Sequence, residues 1–185
     1  AYAQKLAQQI DRTRASVTPA FEQGREPEHT THYSVVDAAG NAVATTTTLN
    51  GGYGSGVWVQ DGGFFMNNEM DDFAAQPGSP NMFGLVQGEA NAVQPGKRML
   101  SAMSPKIVLD PQGNVLLVVG AAGGPTIITA VAQVILNVIE HKMNLADAMR
   151  APRMHHQSLP DEIRVESVGF PEASLERLRA MGHKV

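Results

Sequence analysis

The chain has no cysteine among its 185 residues, so neither a disulfide framework nor a thiolate metal site can organise it. That absence leaves the compartment open, because exported bacterial proteins often lack cysteine too. Charge is scarce as well: Asp, Glu, Lys and Arg make up 17% of the sequence, against about 25% in an average soluble domain. The net charge is −4 and the longest basic cluster is "GKR" at 96–98, which gives no electrostatic footprint for a nucleic-acid backbone. The most apolar run, "IITAVAQVILNVI" at 127–139, is interrupted by Gln133 and is shorter than the ~20 residues a bilayer span needs. It predicts a buried helix and no membrane span. "AYAQKLAQQIDRTR" places charges where the apolar core of a signal peptide belongs, so none is expected there. A helix pattern already under way at Ala1 and a strand just starting at "GHKV" suggest a piece of a longer protein.

The length allows one sizeable core. Apolar residues make up 43%, and Gly, Ala, Thr, Ser and Asn fill the place of the missing charge. Residues 1–13 have helical composition with Ala3, Leu6 and Ile10 on one face, whereas 14–29, with Pro19 and Pro27, read as a linker. From Thr30 the pattern turns β-rich: "HYSVV" and "AVATTTTL" flank "DAAGN" as a hairpin. "NGGYGSG" reads as a loop and "GGFFMNN" as another strand, followed by a long irregular stretch with three prolines that ends at "GKR". A stretch of that kind is usually functional or mobile. "KIVLD" and "NVLLVVG" predict a second hairpin, and their nearly continuous apolar runs suit strands covered on both faces. Helices are expected after the glycine turn at 120–124, over "NLADAMRA", and over "PEASLERLRAMG" with Gly182 as its C′ residue. Strands first and helices afterwards indicate an α+β layered fold.

Several residue groups can carry chemistry. Thr30 and Thr31 stand where a polar, proline-containing stretch enters a strand. A threonine hydroxyl is a weak nucleophile, but at a chain N-terminus its own α-amine can take the proton; β-propensity alone also accounts for a threonine pair. "NNEMDDF" clusters Glu69, Asp71 and Asp72 without EF-hand spacing, so it suits a substrate amine, a divalent metal, or simply water. "GAAGGPT" turns into a helix where backbone N–H groups can meet an anion or a developing oxyanion. Ser101 and Ser104 can bond a carboxylate or cap a loop. The adjacent His155 and His156 diverge on either a strand or a helix, which favours structural roles; neither His29 nor His32 is assigned a role in the chemistry.

Taken in order, "TTHYSVVDAAGNAVATTTTLN", "NNEMDDF", "KRMLSAMSPKIV", "GAAGGPTIIT" and "APRMHHQSLPDEIRVE" resemble the γ-glutamyltransferase (γ-glutamyl transpeptidase) family, from about residue 30 to 185. The resemblance implies an N-terminal-nucleophile hydrolase of four-layer αββα fold, of which this chain is the small-subunit portion. It makes residues 1–29 the tail of a large subunit ahead of a cleavage point, and 30–185 the catalytic small subunit, with possible truncation at its C-terminus. It implies autocatalytic cleavage between His29 and Thr30, which frees Thr30 to attack the γ-carbonyl of a glutathione-like donor, and Thr48 as the hydroxyl bonded to that nucleophile. Asn50, Glu69 and Asp72 correspond to residues that hold the donor's α-amino group, Ser101 to a serine on its α-carboxylate, and Gly123 with Gly124 to the oxyanion hole. Where many members have two serines, this chain has Ser101-Ala102, leaving the backbone N–H of Ala102 in place of one hydroxyl. The implied partners are the large subunit and an acceptor that is an amino acid, a dipeptide or water; no cofactor and no metal are implied. Export to the periplasm or the cell exterior is expected from the family. The alternatives are a related acylase for glutaryl or poly-γ-glutamate substrates, against which the paired acids Glu69 and Asp72 argue, and an inactive, uncleaved paralogue.

Overall fold

The computed structural model describes residues 2–8, 10–15 and 28–185, which fall into two units. The larger unit, within 22–151, begins with strands β1 (Glu28–Val36) and β2 (Ala42–Gly51), paired antiparallel with Thr30 opposite Thr48 and His32 opposite Thr46. Valine and threonine are β-branched and stiff at χ1, which suits a pleated surface. The turn between them is built by one side chain. Asp37 accepts the N–H groups of Ala39 (2.9 Å) and Asn41 (2.8 Å) and the Asn41 side-chain amide (2.7 Å), while Gly40 takes φ 85°. The same device closes the second hairpin, β5 (Lys106–Leu109) with β6 (Val115–Val119): Asp110 accepts from Gln112, Asn114 and the Asn114 amide, and Gly113 takes φ 88°. Both turns read D-x-x-G-N, a short-range signal in which an Asx side chain organises its own loop.

Between the hairpins, β3 (Trp58–Val59) and β4 (Phe64–Phe65) pair, with Phe65 edge-on to Tyr53 and Trp58 at 5.3 and 4.9 Å. The stretch expected to be irregular is so, apart from 3-10 turns at Glu69–Asp72 and Glu89–Asn91. Its backbone is tied down by side chains: Asn91 donates to the Asp72 carbonyl (2.7 Å) and accepts from the Leu100 N–H (3.0 Å), and Lys97 Nζ donates to the Ala92 carbonyl (3.0 Å). Backbone groups outside ladders need such partners.

Helices α2 (Thr126–Ile139) and α3 (Leu145–Arg150) follow. Asn144 caps α3 by accepting the Asp147 N–H. Ile127, Val131 and Val134 lie on one helical stripe, and with Leu117 and Val119 of β6 and Ala148 of α3 they form the core. Two expectations change here. The apolar run at 127–139 is not buried all round, since Ile128 and Leu136 are 53% and 49% exposed. The second hairpin is covered on one face only: Leu117 and Val119 are buried while Ile107, Leu109 and Leu116 are exposed. Strict alternation along β6 sends every second side chain to the uncovered face.

The other unit combines residues up to 21 with 152–185. Helix α1 (Tyr2–Ala7) is shorter than the stretch expected at 1–13, and Asp11 turns the chain by accepting the Thr13 N–H and hydroxyl. Strands β7 (Met154–His155) and β8 (Arg164–Val165) pair, and α4 (Glu172–Ala180) ends as expected: Gly182, at φ 100°, donates to the Arg179 carbonyl and His183 to that of Leu178, a Schellman closure. His155 is buried and bonded to Gln157, and His156 bonds Asp161, so both have structural roles. Most of the linker expected at 14–29 lies outside the described residues. Its last two residues already belong to β1, which therefore starts before Thr30.

Candidate active site

Alternation along β1 separates the two threonines singled out by the sequence. Thr30 faces Thr48 directly across the ladder, and Thr31 pairs with Thr47 on the opposite face. The Thr30 hydroxyl donates to Thr48 Oγ1 at 3.2 Å, and the Asn50 N–H donates to the same oxygen at 2.9 Å. The Thr48 hydroxyl thus stands between the Thr30 side chain and a fixed backbone dipole.

The ladder breaks at this point. Glu28 pairs with Gly51 but Thr30 with Thr48, so β2 carries an extra residue opposite the His29–Thr30 peptide bond. The bulge contains Asn50, which is 6% exposed and adopts φ 73°. A non-glycine residue in the left-handed region costs about 1–2 kcal/mol and persists only where its surroundings hold it. Those surroundings are the Asn68 carbonyl (3.3 Å) and Met82 Sδ (3.6 Å), both of which accept from Asn50 Nδ2. Asn68 in turn accepts the Gly51 N–H through Oδ1 at 2.8 Å and donates to Met82 Sδ. Neither Asn68 nor Met82 stood out in the sequence, since they reach the bulge from a loop and no local pattern marks them.

Asn68 leads straight into the acidic 3-10 turn. Side chains three apart eclipse on such a turn, which sets Glu69 beside Asp72. The two carboxyls come within hydrogen-bonding reach of each other, an arrangement that favours a proton on one of them. Burial, and then the Asp72 charge and hydrogen bond, push Glu69 from its ordinary 4.5 up to about 7. Asp72 is also raised, by burial first, while the bond from Glu69 opposes the shift and the Asp71 charge adds to it. Glu69 Oε1 is buried and meets no donor among the described residues. Asp71 turns away to accept the Met82 N–H at 3.2 Å, so the acidic cluster divides into one structural carboxylate and one pair that has no cationic partner among the described residues. Among the described residues no three His, Asp or Glu side chains are arranged to hold a metal ion.

Ser101 is exposed and accepts the Met103 N–H at 3.2 Å, while Ser104 donates to the Ala102 carbonyl at 3.0 Å. At the glycine turn, Gly123 and Gly124 take φ 130° and 52°. The Gly123 carbonyl is occupied by the Thr126 N–H (3.0 Å) and hydroxyl (2.7 Å), and the Gly124 carbonyl by the Ile127 N–H. The N–H groups of both glycines donate to no described backbone acceptor. Thr30, Thr48, Asn50 and the Glu69–Asp72 turn therefore form one connected cluster, while Ser101, Ala102, Gly123 and Gly124 stand on other loops of the same unit and share no hydrogen bond with it among the described residues.

A family model described as Gamma-glutamyltranspeptidase matches residues 1–185. The chain is 51% identical to the glutathione hydrolase proenzyme of Escherichia coli (strain K12), covering 100% of this chain and 32% of that protein. It is 48% identical to the glutathione hydrolase proenzyme of Pseudomonas aeruginosa, with 99% and 33% covered. Among solved structures it resembles a mutant form of Helicobacter pylori gamma-glutamyltranspeptidase at 53% identity and TM-score 0.80, covering 83% of this chain and 82% of that one. The Bacillus anthracis transpeptidase CapD, at 21% identity and TM-score 0.55, shares the fold. The chain spans about a third of the length of the curated relatives it matches.

Proposed function

The chain belongs to the gamma-glutamyltranspeptidase family, and on that basis we propose that it is the catalytic portion of a γ-glutamyl hydrolase and transpeptidase that matures by cutting itself before Thr30. The observation that carries this reading is the Thr30–Thr48–Asn50 chain of hydrogen bonds at a bulge opposite the His29–Thr30 bond. In processing, the Thr30 hydroxyl adds to the His29 carbonyl, the peptide nitrogen leaves as the new α-amine, and water opens the resulting ester. The freed α-amine then serves as base for its own hydroxyl.

In turnover, Thr30 Oγ1 attacks the γ-carbonyl of a glutathione-like donor, and its proton passes to the α-amine and on to the leaving amine. The γ-glutamyl ester on Thr30 is resolved by water, an amino acid or a dipeptide. The N–H groups of Gly123 and Gly124 stabilise the tetrahedral oxyanion; one such donor is typically worth about 100- to 1,000-fold in kcat. Glu69 and Asp72, with Asn50, hold the donor's α-ammonium. A half-buried pair of acids with no cationic partner among the described residues suits that ligand, since charge-assisted bonds are roughly twice as strong as neutral ones. Ser101 and the Ala102 N–H take the α-carboxylate.

The partner is the rest of a precursor, in keeping with relatives named proenzymes of about three times this length. Residues 1–29 belong to the tail of its large subunit and 30–185 to the small one. The exposed apolar side chains of β5, β6 and α2 suit a fold whose remaining layers come from that subunit. We place the mature protein in the periplasm or outside the cell, which fractionation of the source organism tests.

The functional test compares γ-glutamyl-p-nitroanilide with glutaryl-p-nitroanilide on the full-length protein and its Thr30→Ala variant. Thr30-dependent release from the γ-glutamyl compound is expected. Preference for the glutaryl compound, which has no ammonium for Glu69 and Asp72, overturns the donor assignment.

A further inference from the structure

We propose that His32 is a positioning residue for this reaction: its ring fixes the strand that bears Thr30 against the backbone that runs into Gly123 and Gly124. The inference rests on the function proposed above. His32 is two residues from Thr30 on the same face of β1, one rung along the ladder and opposite Thr46. Its Nδ1 lies 2.8 Å from Thr46 Oγ1 and its Nε2 3.1 Å from Ser34 Oγ. The Ser34 hydroxyl donates to the Val118 carbonyl of β6 at 3.2 Å. Because that hydroxyl proton is committed to Val118, Ser34 Oγ accepts from His32, and the proton of a neutral ring sits on Nε2. Nδ1 then accepts from the Thr46 hydroxyl. The resulting chain, Thr46 to His32 to Ser34 to the Val118 carbonyl, ties both strands of the first hairpin to β6.

The second observation is steric. A Cβ placed on Gly120 would lie 2.1 Å from His32 Nδ1 and 2.2 Å from Cε1, so the ring is pressed directly against the Gly120 backbone. Gly120 is not among the glycines with positive φ. Its lack of a side chain therefore answers to the ring and not to a backbone conformation. Gly120 begins the turn whose fourth and fifth residues are Gly123 and Gly124. The imidazole is thus a spacer one rung from the nucleophile on one side and three residues from the oxyanion donors on the other. Donor recognition by Glu69, Asp72 and Ser101 lies on other loops, so disturbance of the spacer alters the height of the barrier and leaves donor binding in place.

The test uses the full-length, self-processed protein with γ-glutamyl-p-nitroanilide, and kcat is expressed per active site counted from the mass-detected acyl-enzyme. His32→Ala is expected to lower kcat by about 10- to 100-fold, the cost of roughly 1 Å misplacement, with donor KM within about twofold of wild type. Gly120→Ala, which retains the imidazole but collides with it, should show the same pattern. The double variant should be no worse than His32→Ala alone, because the collision is gone. If His32→Ala does not accumulate, His32→Asn, which keeps a polar group facing Thr46, and Gly120→Ala carry the same expectation. A kcat per site within twofold of wild type in these variants, or losses that add in full in the double variant, overturns the inference. Wild-type turnover beside unaffected variants overturns it alone; absence of γ-glutamyl turnover in the wild type overturns the proposed function as well.

Discussion

Replacing Glu69 by Gln separates the two roles that its site imposes on one carboxyl. In the free protein, burial and the neighbouring Asp72 raise Glu69 to about 7 from its ordinary 4.5, so the folded state favours the protonated form. Such a group costs the fold nothing below about 4.5, where it is protonated both folded and unfolded. Its penalty develops as pH rises toward 7 and is complete above that. Gln mimics the protonated acid, and Glu69→Gln should therefore match wild-type stability near pH 4.5 and exceed it near pH 8. Glu69 is only half-buried, and solvent screening reduces the gain to about 1 kcal/mol, which in a protein of about three times this length is about 1 °C in thermal midpoint. Function should move the other way. An ammonium held by two charges requires the shared proton to leave, so wild-type donor KM should rise about tenfold between pH 8 and pH 6. Glu69→Gln should lose that slope and raise KM by about 10- to 100-fold, the worth of one hydrogen bond to a charged group. Scanning fluorimetry across pH and steady-state kinetics on processed full-length protein give both readouts. A variant less stable than wild type at pH 8, or one that keeps the wild-type pH slope of KM, refutes the reasoning.

Asn50→Ala should destabilise the protein by about 2 kcal/mol, combining retained left-handed strain with lost hydrogen bonds. Asn50→Gly, which relieves the strain, should cost about 1 kcal/mol less in urea unfolding. Ala102→Ser, by restoring a second hydroxyl beside Ser101, should lower donor KM by about tenfold through a new bond to the α-carboxylate, read in the same p-nitroanilide assay. Ile127→Ala truncates the largest fully buried side chain among the described residues and should cost about 2–5 kcal/mol, while donor KM in the surviving folded fraction stays unchanged.

Local chemistry made much of the fold legible. Both hairpins were readable because β-branched runs flank turns organised by Asp and Gly, and α2 because an apolar run follows directly on a glycine turn. Coverage was less readable: an apolar run looks the same whether one face is packed or both, so the exposed sides of β6 and α2 emerged only from the structure. At the site, the residue pattern marked Thr30 and the acidic turn, and the family resemblance added Thr48 and Asn50. Neither supplied the left-handed backbone of Asn50 or its contacts with Asn68 and Met82, which depend on loop approaches 18 and 32 residues apart. His32 was invisible for the same reason, since its link through Ser34 to Val118 crosses 84 residues. The proton shared by Glu69 and Asp72 requires a 3-10 turn to eclipse the two side chains, and composition cannot announce that.

Mass spectrometry of the mature full-length protein during turnover tests the central claim most directly. The account predicts a fragment whose first residue is Thr30, carrying a γ-glutamyl adduct on that residue when γ-glutamyl-p-nitroanilide is present. An active sample in which the His29–Thr30 bond is intact, or in which the adduct maps to another residue, contradicts it.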